Sequence, residues 1–170
     1  MRGRSPSRVD PFNPRTETNN VLIEKNAVTN NNRPNTSEDP DLQRIPSGTG
    51  ILSVGSDDLR IRKNEVTGNN TFGVAITQNP LAAQDPRIDP NPDGNQVRLN
   101  VIVENGAQPA DALPGVDLFY DGSGRGNCFA GNVFKTASVP DIEASFPCHD
   151  TADVASSTEP GLGSTQASRR

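Results

Sequence analysis

An asparagine-centred pattern recurs four times along the chain and constrains the fold more than any other feature. The asparagines are spaced 38, 36 and 32 residues apart (26 to 64, 64 to 100, 100 to 132), and a large apolar residue follows each of them two positions later. Self-similarity at this spacing is typical of repeat proteins, in which one unit buries its core only by stacking on its neighbours. The copies are Asn26-Ala27-Val28, Asn64-Glu65-Val66, Asn100-Val101-Ile102 and Asn132-Val133-Phe134.

The residues around each asparagine favour strands and turns rather than helices. Val, Ile, Thr, Asn and Gly dominate, and apolar residues alternate instead of recurring at helical spacing. A strand-like run precedes the first three asparagines, at 21–23, 59–61 and 97–99. A second run follows a glycine, at 50–53, 73–76 and 115–118. The pattern therefore predicts at least two short strands in each repeat.

Alternation along these runs predicts which side chains face the core. In the first set, the two outer residues of each run are expected to point inward: Val21, Ile23, Leu59, Ile61, Val97 and Leu99. The middle residues, Leu22, Arg60 and Arg98, are then expected to point outward at one shared level. In the second set, one inward column is predicted from Ile51, Val74 and Val116, and another from Ser53, Ile76 and Leu118.

Short strands that turn at Asn and Gly predict the coil of a parallel β-helix, whose stacked strands lie about 4.8 Å apart. A buried Asn at a corner can bond to the same Asn one coil above and below, as in other stacked β structures. We therefore expect a ladder of Asn26, Asn64, Asn100 and Asn132. Asn also tolerates the left-handed backbone that a tight corner needs. The alternative is an antiparallel sandwich with Asn in its turns, but a sandwich gives no reason for aligned columns.

Residues 20–26, 58–64 and 126–134, with the Gly-Val and Gly-Ile strands, resemble the right-handed parallel β-helix repeat proteins of bacteria, the pectate-lyase-like superfamily. The resemblance covers about residues 19–138 and implies an all-β solenoid of three to four coils with long loops. The superfamily includes polysaccharide lyases, hydrolases, uronan C5-epimerases, copper-site maturation proteins and members without known activity. The fold therefore implies no particular function.

The expected organisation is a disordered segment at 1–18, a β-helix with an end-covering segment at 19–150, and a flexible tail at 151–170. Long polar insertions at 30–48 and 78–95 separate the strands. Residues 1–18 lack the apolar run of a signal peptide or a membrane helix. Nothing before Asn19 has the periodicity to cover a first coil. We therefore expect the C-terminal part of a longer β-helix, with N-terminal coils missing or supplied by a partner chain.

Two cysteines, Cys128 and Cys148, are the only ones in the chain. An even count in a β protein rich in Gly and Asn favours a disulfide, and hence a secreted or periplasmic protein. The bond would hold residues 139–146 across the end of the stack. Two unrelated thiols of a cytosolic protein are the alternative. His149 follows Cys148, but no fourth residue has the spacing of a zinc ligand.

Acidic residues near the predicted strand ends are the candidates for glycosidase-like chemistry, which uses paired carboxylates. They are Asp57, Asp58, Asp117 and Asp121. Asp117 is expected to face outward beside Leu118, and Asp121 opens an Asp-Gly-Ser-Gly turn. The alternative is that such residues only bond to nearby backbone amides in turns. A serine triad is not expected, because the single histidine, His149, lies near the tail.

Basic residues are expected to form a strip on one outer face, where they could meet the carboxylates of an acidic polysaccharide. They are Arg60, Arg62, Lys63 and Arg98. A solvated face within a chain of net charge −5 is the alternative, and that charge argues against nucleic acid as a partner. The aspartates between Asp85 and Asp93 are a calcium candidate, but their spacing does not match a calcium loop, so no cofactor is expected.

The absence of a catalytic set favours a non-catalytic, extracytoplasmic β-helix that serves as a scaffold or surface-interaction module and has no membrane partner. The alternative is a carbohydrate-active protein of the lyase, hydrolase or epimerase type that acts on acidic polysaccharide. That hypothesis requires Arg60 and Arg98 to work with Asp117 or Asp121. With no Trp, one Tyr and six Phe, the chain offers few rings for sugar stacking. A third hypothesis is metal delivery, as in the copper-maturation proteins, but the sequence contains no Met/His/Cys cluster to support it.

Overall fold

The computed structural model describes residues 18–82 and 85–149. Except for residue 18, the predicted N-terminal segment 1–18 lies outside the described residues, and so does the predicted tail 151–170. The strands are β1 (Leu22–Glu24), β2 (Ala27–Thr29), β3 (Thr49–Val54), β4 (Arg60–Arg62), β5 (Glu65–Thr67), β6 (Phe72–Thr77), β7 (Gln96–Arg98), β8 (Val101–Val103), β9 (Val116–Tyr120) and β10 (Cys128–Ala130). A 3₁₀ turn at Leu42–Arg44 and a short helix α1 at Ile142–Ser145 accompany them.

The strands form parallel sheets in which neighbours are never consecutive along the chain. Their orders are β1-β4-β7-β10, β2-β5-β8 and β3-β6-β9. The chain therefore visits each sheet in turn and adds one strand to each at every level of the stack. Parallel bridges from Val101 to Val133 and from Leu118 to Ala137 continue two of the sheets. This is the all-β, parallel arrangement of a β-solenoid, and the antiparallel sandwich is wrong.

The four predicted asparagines form a continuous ladder beside the β1-β4-β7-β10 sheet. The Nδ2 atom of Asn26 donates to Oδ1 of Asn64 at 3.0 Å, Asn64 donates to Asn100 at 3.0 Å, and Asn100 donates to Asn132 at 2.9 Å. Each of these oxygens also accepts the backbone N–H of the preceding asparagine. The ladder therefore has a direction, because every Oδ1 faces the level before it.

The tight corner itself is made by the residue before each asparagine. Lys25, Lys63 and Leu99 have φ values of 57°, 55° and 57°, in the left-handed region. The asparagines are therefore needed for their side-chain hydrogen bonds rather than for an unusual backbone. The same corner turns Leu99 toward solvent, where it is 54% exposed, so the expectation that it faces the core is wrong. Val21, also expected inside, is exposed as well.

The observed register differs from the predicted columns by two residues in the third copy. Val97 pairs with Ile61, and Arg98 therefore lies beside Arg62, while Gln96 takes the place beside Arg60. In the other sheet, Leu118 pairs with Val74 and Tyr120 with Ile76. The predicted position of Arg98 is wrong because Leu99, which resembles a strand residue, forms the left-handed corner. The predicted positions of Val116 and Leu118 are wrong because Gly73 lies opposite Asp117 rather than opposite Gly115.

The core is a narrow column inside the stack. Its central members are fully buried: Ile61, Val66, Val74, Ile76, Val97, Ile102 and Leu118. Residues 139–146 lie across the end of this column, where Ile142 of α1 is also fully buried. The Phe146 ring meets Tyr120 edge-on at 5.1 Å between ring centroids. The Phe129 N–H donates to the carbonyl of Phe146, which therefore pairs with the free edge of β10.

The predicted disulfide between Cys128 and Cys148 is confirmed, with 4.8 Å between the Cα atoms. It joins the first residue of β10 to the end of the covering segment. The bond therefore holds that segment against the last strand of the sheet.

Replacement of Asn64 by Leu should lower the free energy of unfolding. The change removes, at a buried position, the amide that donates to Asn100 Oδ1 and to the carbonyl of Ile23. It also removes the acceptor of two donors of the exposed Asn26. Each buried group left without a partner costs roughly 1–3 kcal/mol. Urea unfolding of Asn64→Leu and of Asn26→Leu, at the exposed start of the ladder, measures the difference. Equal losses in the two variants would contradict a role for burial of the ladder.

Reduction of the disulfide should release the end-covering segment before the sheets unfold. In the chain-entropy model, closing a loop of this size contributes about 3 kcal/mol. Hydrogen exchange should accelerate at 139–148 on reduction, while the amides of Val66 and Ile102 stay protected. The variant Cys128→Ser/Cys148→Ser should behave like the reduced protein. Free thiols that titrate in the native, unreduced protein would contradict the bond.

Candidate functional site

The predicted basic strip lies on the outer face of the β1-β4-β7-β10 sheet. Alternation along β4 and β7 directs Arg60 and Arg62, and then Gln96 and Arg98, away from the core. Lys63 follows β4 at the left-handed corner and is also exposed. These side chains and Leu99 line one shallow groove of about 250 Å³, which we call the basic strip.

Charges in the basic strip are arranged by register. Glu24, Arg62 and Arg98 are paired in that order across three adjacent strands. The Arg62 Nε lies 3.1 Å from a carboxylate oxygen of Glu24. This exposed pair contributes little to stability, within about 1 kcal/mol. Its main effect is to offset part of the repulsion between two arginines one strand apart, about 4.8 Å.

Asp117 does not belong to this strip. It lies on β9 in another sheet, and only 2% of its surface is exposed, so the expectation that it faces outward is wrong. Its Oδ1 accepts the backbone N–H and the Nδ2–H of Asn105. Its Oδ2 accepts the N–H of Lys135 and both the N–H and the hydroxyl of Thr136. The carboxylate is therefore fully engaged within the protein.

Asp117 ends a second asparagine ladder, which was not predicted from the sequence. The backbone N–H of Asn31 donates to Asn69 Oδ1, and Asn69 Nδ2 donates to Asn105 Oδ1 at 2.9 Å. Asn105 then donates to Asp117 in the same way. The sequence does contain a signal for this second ladder, because each of its asparagines follows an asparagine of the first ladder at the same distance (26 to 31, 64 to 69, 100 to 105).

Glycine is required beside this second ladder. A Cβ atom at Gly50 would lie 2.9 Å from Asn69 Nδ2, and one at Gly73 would lie 2.8 Å from Asn105 Nδ2. Contacts this short between a Cβ atom and a buried amide are not tolerated without movement of the backbone or of the ladder. Gly50 and Gly73 are thus explained by the ladder amides and by the backbone of the next level, whereas Gly115 lies against Gly106.

Glu143 ends the first ladder in the same way that Asp117 ends the second. Its Oε1 accepts the backbone N–H of Asn132 at 2.8 Å and the Asn132 Nδ2–H at 2.9 Å. Its Oε2 accepts the N–H of Gly131. A carboxylate suits this position because it only accepts hydrogen bonds, and the last asparagine offers only donors.

Two of the other candidate acids, Asp57 and Asp121, bond to backbone amides. Asp57 Oδ1 accepts the N–H of Asp93 at 2.8 Å. Asp121 accepts the N–H of Gln78 and the N–H of Ser123. Asp58 occupies a left-handed position with φ of 53°. Only the bond from Ser123 to Asp121 is the local turn contact considered as the alternative. The bonds from Asp93 to Asp57 and from Gln78 to Asp121 span 36 and 43 residues of sequence.

The aspartates between Asp85 and Asp93 likewise accept hydrogen bonds from the protein, Asp85 and Asp89 within the loop and Asp93 from outside it. The Arg87 guanidinium donates to both oxygens of Asp85 and lowers the pKa of that carboxyl to about 2. Asp93 accepts the backbone N–H of Arg125. Among residues 18–82 and 85–149, no group of three His, Cys, Asp or Glu side chains is placed to hold a metal ion. His149 is exposed, and both neighbouring sulfurs are joined in the disulfide.

Most of the candidate residues do not share a groove; the exception is Asp58, which lines a small pocket of about 70 Å³ with Arg60. Arg60 and Arg98 line the basic strip, whereas Asp117 is buried in a different sheet. Asp121 follows β9 and is exposed, away from the strip. The strip offers cations to a ligand, and neither Asp117 nor Asp121 lines it as an acid or a base.

No protein-family model matches the chain, and neither a curated protein nor a solved structure is significantly similar to it. Within the described part of the chain, no helix is both long and apolar enough to cross a membrane.

The variant Asp117→Asn should be less stable than the wild-type protein. An amide can face only one of the two donor sets with its oxygen, so its NH₂ group must oppose the N–H groups of Lys135 and Thr136 or those of Asn105. Loss of acceptors for buried donors costs roughly 1–3 kcal/mol each. The variant Asp121→Asn is the matched control, because the same change at an exposed carboxylate should have a smaller effect. Thermal and urea unfolding of the two variants measure the difference, and equal stabilities would contradict the ladder-ending role.

Proposed function

We propose that this protein is a non-catalytic, extracytoplasmic interaction module that binds acidic polysaccharide through the basic strip. The observation that carries the proposal is the grouping of Arg60, Arg62, Lys63 and Arg98 around one groove that no candidate catalytic acid lines. Such a surface suits binding of a polyanion without cleavage. In this proposal the stack of sheets is the scaffold, and the basic strip on its surface binds the ligand.

The same proposal assigns the chain to the right-handed parallel β-helix class of the pectate-lyase-like superfamily, with three to four coils. Parallel strands in stacked sheets and the asparagine ladders support this assignment. The disulfide between Cys128 and Cys148 supports secretion or a periplasmic location, because such bonds persist in oxidising compartments.

Uronate chains fit the basic strip by charge and by spacing. Side chains at equivalent positions of adjacent strands repeat about every 4.8 Å along the stack. Guanidinium groups form charge-assisted, often bidentate hydrogen bonds with carboxylates. Because these cations are largely exposed, binding should weaken as salt rises, with a screening length of about 8 Å at physiological ionic strength. A nucleic acid is a poorer partner for a chain of net charge −5.

The alternative, a carbohydrate-active enzyme, requires a general acid or base near the cations. Asp117 is withdrawn into the interior by its hydrogen bonds, and Asp121 accepts the backbone N–H groups of Gln78 and Ser123. Asp58 borders Arg60, but it has no second carboxylate beside it among the residues of that pocket. The cations of the strip can therefore neutralise the carboxylates of a ligand. Neutralisation without a general acid or base assists binding more than bond cleavage.

Binding of a fluorescently labelled oligogalacturonate, measured by anisotropy, tests the proposal. Arg60→Gln and Arg98→Gln should each weaken binding several-fold, because each removes one cation from the groove. Arg125→Gln is the matched control: it makes the same charge change on an exposed arginine outside the strip, and it should bind like the wild-type protein.

Two outcomes would overturn the proposal. One is equal affinity of the strip variants and the control variant, which would place the ligand elsewhere. The other is the appearance of unsaturated uronate products, detected by ultraviolet absorbance, which would establish lyase activity instead. A neutral cello-oligosaccharide of similar length should not bind.

A further inference from the structure

A further groove lies on the outer face of the β3-β6-β9 sheet and has a different character from the basic strip. Its volume is about 470 Å³. Side chains of the sheet form its base, and residues 41–46, residues 78–81 and Leu113 supply its walls. We call it the apolar groove, and its principal lining residues are Leu42, Ile45, Leu52, Leu113 and Phe119.

The base of the apolar groove is fixed by packing on the sheet. Leu52, Ala75 and Phe119 occupy equivalent positions on β3, β6 and β9. Phe72 packs against Phe119 with 4.6 Å between ring centroids, and both belong to a cluster separate from the main core. The outer face of this sheet is therefore apolar and ordered, whereas the outer face of the β1-β4-β7-β10 sheet carries charges.

The walls expose apolar side chains that the protein does not bury. Leu42 is 51% exposed and Ile45 is 43% exposed, and both come from the first insertion beside its 3₁₀ turn. Long insertions are uncommon without a role. Here residues of the two long insertions, 41–46 and 78–81, line the same groove, which the sequence alone did not predict.

Polar groups at the rim of the apolar groove are few and balanced in charge. Asp41, Arg44 and Gln78 line it. In residues 18–82 and 85–149, the side chains of these three make no hydrogen bond or ion pair. One carboxylate and one guanidinium give no net charge, so the groove does not select a polyanion. The unpaired amide of Gln78 can orient a ligand by a hydrogen bond.

We propose that the apolar groove binds one small, uncharged, largely apolar molecule that carries an aromatic ring. Its volume falls within the range of about 300–1,000 Å³ typical of small-molecule sites. A stable protein interface buries about 800 Å² on each partner, which is a larger surface than this groove offers, so a small molecule suits the groove better than a protein. The Phe119 ring is only half buried, and it offers a face for offset stacking with an aromatic ligand.

The uncharged dye N-phenyl-1-naphthylamine tests this site, because its fluorescence rises in apolar surroundings. The wild-type protein should bind it saturably with one molecule per chain. Leu42→Arg and Ile45→Arg should each weaken binding at least tenfold, since they place a charged side chain in the wall. Both positions are exposed, so these variants should fold normally, and circular dichroism verifies this.

Leu22→Arg is the matched control, because Leu22 is also 51% exposed but lies on β1, on another sheet. It should bind the dye like the wild-type protein. Absence of saturable binding, or equal weakening by the control, would overturn the proposal. Light scattering gives a further decisive result: a dimer that Ile45→Arg converts to a monomer would identify the groove as a contact between two copies instead. The oligogalacturonate affinity of Leu42→Arg and Ile45→Arg should be unchanged, since the basic strip lies on a different sheet.

Discussion

The hydrogen bond from one asparagine to the Oδ1 of the next is the interaction on which the stack depends. A primary amide is both a double donor and an acceptor, so one buried residue type can satisfy its neighbours above and below. Asn64 uses this capacity fully, with bonds to Asn26, Asn100 and the carbonyl of Ile23. Because a buried amide without partners is costly, this bond fixes the register of each new level relative to the last.

The ladders also decide which side chains are left for function. Inward positions at the corners are taken by amides, by the glycines beside them and by the two carboxylates that end the ladders. Asp117, an attractive catalytic residue by sequence, is used in this way. Binding chemistry is therefore left to outward positions. There the β1-β4-β7-β10 sheet presents cations, and the β3-β6-β9 sheet presents an apolar surface framed by insertions.

The sequence predicted the sheets and the first ladder but not the full register. Counting back three positions from each asparagine gives the observed column of Ile23, Ile61, Val97 and Phe129. Aligning apolar runs instead moved the third copy by two residues, because Leu99 looks like a strand residue but forms the left-handed corner. The capping contact of Glu143 was beyond prediction, since it depends on how the C-terminal segment folds back. The apolar groove depends on insertions that have no periodic pattern.

The direction of the ladders has a consequence for the size of the molecule. In these two ladders each asparagine donates to an acceptor on the following level, and Glu143 and Asp117 are the anions at which the ladders stop. Where each of these ladders ends therefore depends on where its acid stands in the sequence. Duplication of the 36-residue unit between Asn64 and Asn100 would lengthen the molecule while both terminations stayed intact. Such a rule lets a solenoid grow from within during evolution.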